Sequence, residues 1–561
     1  MPDASKSCTL RENIEENKKM YGIALDLGTS GFRAQLIELE TKETIKTVIT
    51  MGHPLPGGNV MDHLDFAIST GEDVAHAVIL ETIRRMFLKF DIDFSEVERL
   101  AVCGNPIQLS LFQNIEIRDL AYAGENKQKK LGVENVKRDA RVFPASELFK
   151  DLDMPNCEVI VPPAIKHEIG ADALAMMLET DFLNQTKPAL VTDYGTNAEM
   201  ALKIGERIIT ASAAAGPAIE GQGISCGMLA SPGAICDVKP EGEYWRIIVL
   251  DKEMEKRDAY LINPLTGDIK EFYGYEAVGI TGTGVISAFA LALKSGLIEK
   301  SPSLPNGRLV LGPDIEITEK DVEEAGKAIG AIRAAHLTLI VDSGIKYEDL
   351  EYAYMSGASG AYADAEDARQ LGAAPGFAKN IVQFGNTSLA LARELVMDRS
   401  RLEDVIKIAK RITADHLMMA TSETFNNFYL CELSYWTQGM PLEMYNQMLE
   451  MYGIPVLPET LEHASIERRV SKDIEEVGAE GLAILKEIGI NLEVPVSKCI
   501  YCHKCEKECP ENAIEIIEDA EGKRTARYDS QKCLGTSCRR CVNICPEGAI
   551  EMSNLQIKEA K

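Results

Sequence analysis

The sequence Cys499-Ile-Tyr-Cys502-His-Lys-Cys505-Glu-Lys-Glu-Cys509-Pro510 is the most informative part of the last 71 residues of this chain. A second run follows as Cys533-Leu-Gly-Thr-Ser-Cys538-Arg-Arg-Cys541-Val-Asn-Ile-Cys545-Pro546. Three closely spaced cysteines and a more distant Cys-Pro, present twice, form the ligand pattern of two [4Fe–4S] clusters. The pattern therefore predicts a small bacterial-type ferredoxin domain that carries electrons.

The spacing also predicts how the two halves share their ligands. Short loops deliver only three thiolates from one turn of chain, so the fourth comes from the Cys-Pro of the other half. The first cluster is then assigned to Cys499, Cys502, Cys505 and Cys545. The second is assigned to Cys533, Cys538, Cys541 and Cys509. Structural zinc is the less favoured alternative, because zinc takes four ligands per ion and does not need the repeated Cys-Pro.

The two halves form an internal repeat with one irregularity. Cys509-Pro-Glu-Asn-Ala-Ile recurs as Cys545-Pro-Glu-Gly-Ala-Ile, but the second half has two extra residues within Leu534-Gly535-Thr536-Ser537. We expect this loop to bulge and to change the hydrogen bonds that reach the cluster sulfurs. The two clusters are therefore expected to differ in potential.

Length and composition bound the class of protein. A chain of 561 residues is long enough for three or four domains. Because it shows neither an apolar run of about 18 residues nor a charged-then-apolar start, we expect no membrane span and no signal peptide. Residues 1–19 are polar and are predicted to be a disordered tail. The six other cysteines are scattered, so the sequence favours a reducing cytoplasm over a disulfide-forming compartment.

The net charge of −28 is strongly negative. The last 71 residues carry 11 Lys and Arg against 12 Asp and Glu, so nearly all of the excess lies on residues 1–490. Such a charge argues against nucleic acid and anionic membranes as partners. It leaves solubility, a salty cytoplasm and a basic partner as open explanations.

Two similar turns point to phosphate binding in the body of the chain. Tyr21-Gly-Ile-Ala-Leu-Asp26-Leu-Gly28-Thr29-Ser30 predicts a strand and a turn that opens into a second strand. Leu190-Val-Thr-Asp193-Tyr-Gly195-Thr196-Asn197 repeats the arrangement. Backbone N–H and hydroxyl groups of such turns bind phosphate, and an Asp at the strand end holds Mg²⁺ or its water ligands. One turn alone would be an ordinary β-turn, whereas two predict a duplicated fold that grips phosphates from both sides.

Two glycine-rich segments are further candidates. Gly282 and Gly284 open an apolar helix, and unpaired N–H groups at a helix start attract anions. Gly357 and Gly360 follow a short apolar stretch, where glycine lets a base or ribose approach the backbone. Tight packing turns are the alternative for both segments.

The stretch before the cysteine clusters is predicted to be helical. Residues 402–452 have apolar side chains at helical spacing, and 459–489 are charged and predicted as helix. The Met and aromatic content of the first stretch favours a core, with a docking surface as the alternative. Val494-Pro495-Val496 is predicted to be the junction with the cluster domain.

Together these motifs resemble the ASKHA fold of actin, Hsp70 chaperones and sugar kinases. Within that fold, three segments resemble the reductive activators of corrinoid-dependent enzymes. They are Thr192-Asp-Tyr-Gly-Thr-Asn-Ala-Glu, Ala213-Ala-Ala-Gly-Pro-Ala-Ile-Glu-Gly221 and Gly279-Ile-Thr-Gly-Thr-Gly. The resemblance implies an α/β body of two lobes over residues 20–400, a helical region over 401–490 and a ferredoxin domain over 491–561. The C-terminal position of the clusters matches activases of methanogens more than the bacterial activators, most of which have an N-terminal [2Fe–2S] domain.

The resemblance also implies a function and site residues. It implies ATP-dependent reduction of an inactive Co(II) corrinoid to methyl-accepting Co(I), with corrinoid proteins of methylamine methyltransferases as partners and a low-potential electron donor. Asp26 and Asp193 would be the catalytic pair. The nucleotide would contact Gly28, Thr29, Ser30, Gly195, Thr196, Asn197, Gly282, Gly284, Gly357 and Gly360, with Mg²⁺ at the phosphates. The adenosine turn departs from the Gly-Gly pair common in the wider fold.

Two alternatives remain open at this point. One is a redox scaffold or sensor that binds nucleotide without hydrolysing it. The other keeps the activase chemistry but acts on another corrinoid protein or on a nickel-tetrapyrrole enzyme. No general base typical of a kinase is recognisable, so phosphotransfer to a small metabolite is not supported.

Overall fold

The structure is a computed structural model. It describes residues 19–559 except 122–124, 131, 134–135, 165–168, 196, 214–222, 229, 358–359, 361–362, 413, 471–473, 475 and 487–489. Apart from Lys19, the predicted N-terminal tail lies outside the described residues.

The first of two seven-stranded sheets begins with the hairpin predicted from Asp26. Its strands lie in the order β21-β3-β2-β1-β4-β6-β5, with β1–β3 antiparallel and β1, β4 and β6 parallel. Every residue of β1 is buried, as expected for a central strand covered on both faces. The bounds are β1 Tyr21–Leu27, β2 Phe32–Glu38, β3 Thr44–Thr50, β4 Val97–Gly104, β5 Arg141–Pro144, β6 Glu158–Val161 and β21 Leu482–Leu485.

The second seven-stranded sheet repeats this topology. Its order is β19-β9-β8-β7-β17-β18-β20, again an antiparallel hairpin pair followed by parallel strands. The bounds are β7 Ala189–Tyr194, β8 Ala198–Ile204, β9 Arg207–Ala213, β17 Tyr352–Ser356, β18 Asn380–Gln383, β19 Ala414–His416 and β20 Ser465–Arg468. The duplicated fold predicted from the two Asp-x-Gly-Thr turns is therefore confirmed.

Smaller sheets complete the body. A five-stranded sheet has the order β13-β12-β11-β10-β14, and β15 pairs with β16 as a hairpin. The bounds are β10 Ala234–Glu241, β11 Tyr244–Leu250, β12 Lys256–Ile262, β13 Ile269–Phe272, β14 Gly279–Ile280, β15 Arg308–Gly312 and β16 Ile315–Thr318.

The helices of the body pack on the sheets and on one another. They are α1 Val60–Thr70, α2 Glu72–Leu88, α3 Pro106–Gln113, α4 Arg118–Ala121, α5 Glu125–Lys130, α6 Ala171–Leu178, α7 Gly282–Lys294, α8 Glu319–Ser343, α9 Ala365–Leu371, α10 Thr387–Met397, α11 Arg401–Arg411, α12 Glu423–Gln438 and α13 Leu442–Met451. Helix α10 packs against β1 and β4, although it follows β18 of the second sheet. The chain therefore crosses back to the first sheet, which ties the two halves together.

The long helix α8 packs closely against α12. A Cβ on Gly326 would lie 2.6 Å from Cβ of Trp436, and one on Gly330 would lie 2.8 Å from Cβ of Glu432. The absence of a side chain at both positions allows the helix axes to approach. Among the described residues, no helix is long and apolar enough to span a membrane.

The cluster domain contains a four-stranded antiparallel sheet in the order β23-β24-β22-β25, and two short helices. The bounds are β22 Ile490–Pro495, β23 Ile514–Glu518, β24 Arg524–Tyr528, β25 Gln556–Glu559, α14 Lys504–Glu508 and α15 Arg540–Ile544. Val494 and Val496 are fully buried. Both side chains of the predicted junction therefore belong to a packed core.

The prediction of helix over 459–489 is wrong in the described residues. This segment contains β20, which pairs with β18, and β21, which pairs with β3. Both strands form at the edges of existing sheets, where hydrogen bonds from distant residues decide the conformation of a charged segment. Helices α11–α13 occupy most of 402–452, as predicted.

Candidate functional site

A cleft of about 690 Å³ lies where β1 and β7 end. Polar side chains and turn glycines from both large sheets line it. They are Asp26, Gly28, Thr29, Ser30, Arg33, Gly104, Asn105, Asp172, Asp193, Tyr194, Gly195, Asn197, Glu199, Gly357, Asn386 and Ser388, together with Leu27. The two predicted turns therefore face one space.

Asp26 is held at the end of β1 by groups from two other elements. Asn386 donates from Nδ2 to Asp26 Oδ2 at 2.7 Å, and Arg33 lies 3.6 Å from the same oxygen. Asn386 also caps α10, because its Oδ1 accepts from the N–H of Leu389. A helix start is thereby fixed beside the carboxylate.

Thr29 is tied to the start of α3. Asn105 donates from Nδ2 to Thr29 Oγ1 at 3.1 Å, while its Oδ1 accepts from the N–H groups of Ile107 and Gln108. Asn105 thus caps α3 and contacts the first turn with the same side chain. The first turn cannot move without disturbing this cap.

Asp193 occupies the equivalent place at the end of β7. Ser356, its partner across the parallel pair β7–β17, donates from Oγ to Asp193 Oδ2 at 3.3 Å. Gly357 has φ of +83°, and a Cβ there would lie 2.5 Å from Asp193 Oδ1. Glycine is required at position 357 by both the backbone conformation and the approach to this carboxylate.

Asp172 supplies a further carboxylate to the cleft. Burial, together with a smaller contribution from the nearby charge of Asp26, raises the pKa of Asp172 to about 6. Oxygen ligands from carboxylates are those that Mg²⁺ prefers, and a bound divalent cation would favour the ionised forms of both groups. The donor set of the cleft therefore fits a Mg²⁺–phosphate ligand.

The structure brings together most of the predicted nucleotide residues, but not all. Gly28, Thr29, Ser30, Gly195, Asn197 and Gly357 line the cleft. Gly360 lies behind it, where its carbonyl accepts from Gln383 Nε2 at 2.9 Å. Gly282 and Gly284 begin α7, and Gly284 packs against the carbonyl of Ile235. Thr196 lies outside the described residues.

Sequence reasoning missed Asn105, Asp172, Glu199 and Asn386. The sequence does contain a pattern that could have identified Asn105 and Asn386. Gly104-Asn105 and Gly385-Asn386 each follow an apolar strand and precede a helix. Asn after a strand is a common helix cap. Nothing in the sequence indicates that both caps meet the phosphate turns.

The first predicted ligand set surrounds a cavity in the cluster domain. A space of about 360 Å³ is lined by Cys499, Cys502, Cys505 and Cys545, with apolar residues that include Ile516 and Ile550. Across the described part of the chain, no three His, Cys, Asp or Glu side chains converge on a single ion. Four thiols around an open, apolar space fit a cluster, whose sulfur ligands stand farther apart than those of one ion.

The second predicted ligand set also lies together. Burial raises the pKa of Cys533 to about 12, and the nearby thiols of Cys541, Cys509 and Cys538 add to this shift. Cys509, which follows the first three cysteines in sequence, thus lies among the ligands of the other set. Both sets fit a [4Fe–4S] cluster in the number and type of donors.

Tyr528, at the end of β24, lies between the two sets. Its hydroxyl is 3.8 Å from Cys541 Sγ. Burial raises the pKa of Tyr528, as do Cys541 and Cys533 of one set and Cys505 of the other. The phenol is only 4% exposed, so its surroundings are largely protein.

Comparison with known proteins supports this organisation. Residues 187–446 match the family described as the C-terminal domain of RACo, the ASKHA domain. Residues 21–185 match the RACo middle region, and residues 498–557 match the 4Fe-4S dicluster domain.

Two curated relatives and one solved structure resemble most of the chain. The "[Co(II) methylated amine-specific corrinoid protein] reductase" of Methanosarcina barkeri is 84% identical over 518 residues, which cover 92% of this chain and 96% of that protein. The "Corrinoid activation enzyme RamQ" of Eubacterium limosum is 25% identical over 74% of this chain and 70% of its own length. A solved structure, "Reductive activator for corrinoid,iron-sulfur protein", has a TM-score of 0.61 at 22% identity and covers 77% of this chain and 68% of its own.

The family match over residues 187–446 identifies an ASKHA domain in the body, and the solved structure, at 22% identity, shares the fold. The identity of 84% over 92% of this chain shows a closer relationship. This chain belongs to the family of corrinoid protein reductive activators that includes the reductase of Methanosarcina barkeri.

Proposed function

We propose that this chain is an ATP-dependent reductase that converts the inactive Co(II) form of a methylamine methyltransferase corrinoid protein to Co(I). The observation that supports this most directly is the presence, in one chain, of a two-sided polar cleft and two sets of four thiols. The cleft suits a nucleotide, and the thiol sets suit electron carriers. The Methanosarcina relative, a reductase of a methylated-amine-specific corrinoid protein, indicates the class of partner.

The energetics explain why the two sites belong together. Co(I) lies at low potential, and each 100 mV of uphill transfer costs about 2.3 kcal/mol per electron. Nucleotide binding between the two lobes of the body would close them. If the closed form binds one state of the corrinoid protein better than the other, the difference in binding free energy offsets the cost of the electron transfer. The partner need not touch the nucleotide for this to occur.

In this proposal ATP binds in the cleft with Mg²⁺. Asp26 and Asp193 orient the ion or its water ligands, while the turns at Gly28–Ser30 and Gly195–Asn197 hold the phosphates. Gly357 allows the nucleoside to approach the backbone beside Asp193. Asp172, Asn105 and Asn386 are added to the predicted residues because they line the same cleft.

Each thiol set holds one [4Fe–4S] cluster, which supplies one-electron transfer at low potential when bound. A low-potential donor and a reducing cytoplasm suit such a protein. The crossed ligand assignment has a direct test. Cys509→Ala should remove the EPR signal of the cluster at Cys533, Cys538 and Cys541, and loss of the other signal alone would refute the assignment.

The function is tested with the full chain, reconstituted anaerobically. The protein is mixed with a Co(II) corrinoid protein, a reductant and ATP, and the cobalt spectrum is followed. We expect Co(I) to form only with ATP, and ATP to be hydrolysed during the reaction. Co(I) formation at the same rate without ATP would contradict the proposal, and nucleotide binding without turnover would favour a redox scaffold.

A further inference from the structure

The loop Leu534–Ser537 holds the cluster domain against the first lobe, which is the half of the body that contains the first seven-stranded sheet. Gly57 donates its N–H to the carbonyl of Cys533 at 2.9 Å, and Ser537 donates from Oγ to Asp62 Oδ1 at 3.1 Å. Thr536 donates its hydroxyl to the carboxylate of Asp65. This loop is the place where the second half of the repeat has two extra residues, so the insertion forms the contact with α1.

Helix α1 also packs into the interior of the first lobe, where its His63 forms a buried pair with another histidine. His63 of α1 stacks on His53, with ring centroids 3.7 Å apart and planes at 16°. Gln108 joins them, because its Oε1 accepts from His53 Nε2 at 3.1 Å and its Nε2 donates to His63 Nδ1 at 2.9 Å. All three side chains are buried.

The hydrogen bonds fix the protonation of this group. Leu55 donates its N–H to His53 Nδ1 at 3.1 Å, so the proton of His53 lies on Nε2 and points at Gln108. Burial lowers the pKa of His53 to about 3, and that of His63 falls as well. Both rings are therefore neutral, and the orientation of the Gln108 amide is set by them.

The same glutamine lies next to the first phosphate turn. Gln108 is on α3, and its N–H donates to Asn105 Oδ1 at 2.9 Å. Asn105 in turn donates to Thr29 Oγ1. A continuous series of contacts thus runs from Thr29 through Gln108 and His63 to the loop that carries Cys533.

One position in this series is incompletely bonded. His63 Nε2 is buried beside the backbone of Gly57 but has no well-formed hydrogen bond among the described atoms. A buried N–H without a full partner is costly, and a small shift of the 53–58 segment would complete the bond. Gly57 is the residue that bonds Cys533, so such a shift would reach the cluster ligand.

We propose that Gln108, Thr536 and Ser537 are positioning residues that couple nucleotide occupancy to the redox state of the cluster at Cys533, Cys538, Cys541 and Cys509. The other cluster, at Cys499, lies outside this series of contacts. The proposal rests on the proposed function, because it takes the cleft as the nucleotide site and the thiols as cluster ligands.

Coupling of this kind is reciprocal. If nucleotide changes the potential of the cluster, reduction of the cluster must change the affinity for nucleotide by the same factor. The affinity ratio between oxidised and reduced protein therefore measures the coupling without a corrinoid partner and without turnover.

The experiment measures the Kd of a non-hydrolysable ATP analogue with Mg²⁺ for the full-length reconstituted protein, oxidised and then reduced with dithionite. We expect the two values to differ by about fivefold or more. Thr536→Val with Ser537→Ala keeps the shape of the loop but removes its side-chain hydrogen bonds, and should bring the ratio towards one. Iron content and the Kd of the oxidised form should stay unchanged.

Gln108→Met is the second variant, placed at the other end of the series, and should also reduce the ratio. Thr41→Val is the matched control, because it removes an exposed hydroxyl that bonds Glu38 in the β2–β3 turn of the same lobe. The control should keep the ratio of the unaltered protein. Equal affinities in both redox states, or a ratio unchanged in the loop variant, would overturn the coupling alone. Failure to bind the analogue in either state would overturn the proposed function as well.

Discussion

At the scale of single residues, Tyr528 is the side chain that distinguishes the two clusters most clearly. It is buried, it lies near cysteines of both sets, and its hydroxyl is within hydrogen-bonding distance of Cys541. When Cys541 is a cluster ligand its sulfur is a thiolate, so the phenol donates. Hydrogen bonds to cluster sulfurs stabilise the more negative reduced form and raise the potential.

Tyr528→Phe should therefore lower the reduction potential of the cluster at Cys533, Cys538, Cys541 and Cys509. The ring remains, so packing and iron content should be preserved. EPR-monitored redox titration of the reconstituted protein measures both potentials. Tyr501→Phe, at an exposed phenol near the other cluster, is the control and should move neither. An unchanged potential in the Tyr528 variant would show that the hydroxyl does not donate to the sulfur.

Asp172 gives the cleft a predicted pH dependence. Its pKa is raised to about 6, mainly by burial, so the neutral form accumulates as the pH falls through 6. A neutral carboxyl does not hold a cation, and the affinity for Mg²⁺ with nucleotide should fall over this range. Asp172→Asn should bind more weakly at pH 7 and lose the dependence, as measured by calorimetry between pH 5 and 8. The stability effect of this group has the opposite sign, because ionising a buried carboxyl as the pH rises destabilises the fold.

At the scale of elements, the contact of α8 with α12 depends on a buried ion pair. Arg333 of α8 donates to both carboxylate oxygens of Glu432, which is fully buried, and Tyr445 of α13 donates to Glu432 Oε1 at 2.6 Å. The glycines at 326 and 330 let the helices approach closely enough for these bonds. Three helices thus share one carboxylate.

Glu432→Ala should lower the free energy of unfolding of the body by about 3–5 kcal/mol, because it leaves the guanidinium of Arg333 without its partner. Thermal denaturation followed by circular dichroism measures the change. Glu324→Ala is the control, since it breaks a partly exposed pair with Lys327 on the same helix and should cost less than about 1 kcal/mol. Similar losses in the two variants would contradict the importance of the buried pair.

At the scale of the whole molecule, the cleft takes one aspartate from each large sheet. Asp26 is the penultimate residue of β1, Asp193 is the penultimate residue of β7, and both line the same space. A ligand held by both turns binds only when the two lobes are correctly placed. Nucleotide should therefore stabilise the assembled molecule and not one lobe alone.

A nucleotide at about 100 times its Kd should stabilise the chain by about 2.7 kcal/mol, visible as a rise in Tm with Mg²⁺ present. Asp26→Ala and Asp193→Ala should each abolish the rise in Tm, because each removes the carboxylate that one of the two sheets contributes to the nucleotide site. Asp268→Ala, at an exposed turn, should retain it. A full rise in either cleft variant would remove that aspartate from the site.

The local parts of this protein can be predicted from the sequence alone. The spacing of Cys499, Cys502 and Cys505 places three thiols on one turn of chain, and the Asp-x-Gly-Thr turns at Asp26 and Asp193 follow apolar strands that pair with their neighbours. Short-range geometry decides these features, so they are readable in order along the chain. The division into a body over 20–400, a helical region over 401–490 and a cluster domain stays a prediction.

Which distant groups come into contact depends on the tertiary packing. Asn386 reaches Asp26 across 360 residues, and Ser537 reaches Asp62 across 475. The strands at 465–468 and 482–485 exist because sheet edges formed by distant residues offer them hydrogen bonds, whereas their own composition favours helix. Contacts between residues so far apart in sequence depend on how the two lobes and the cluster domain pack. Periodicity and spacing within a single segment do not predict that packing.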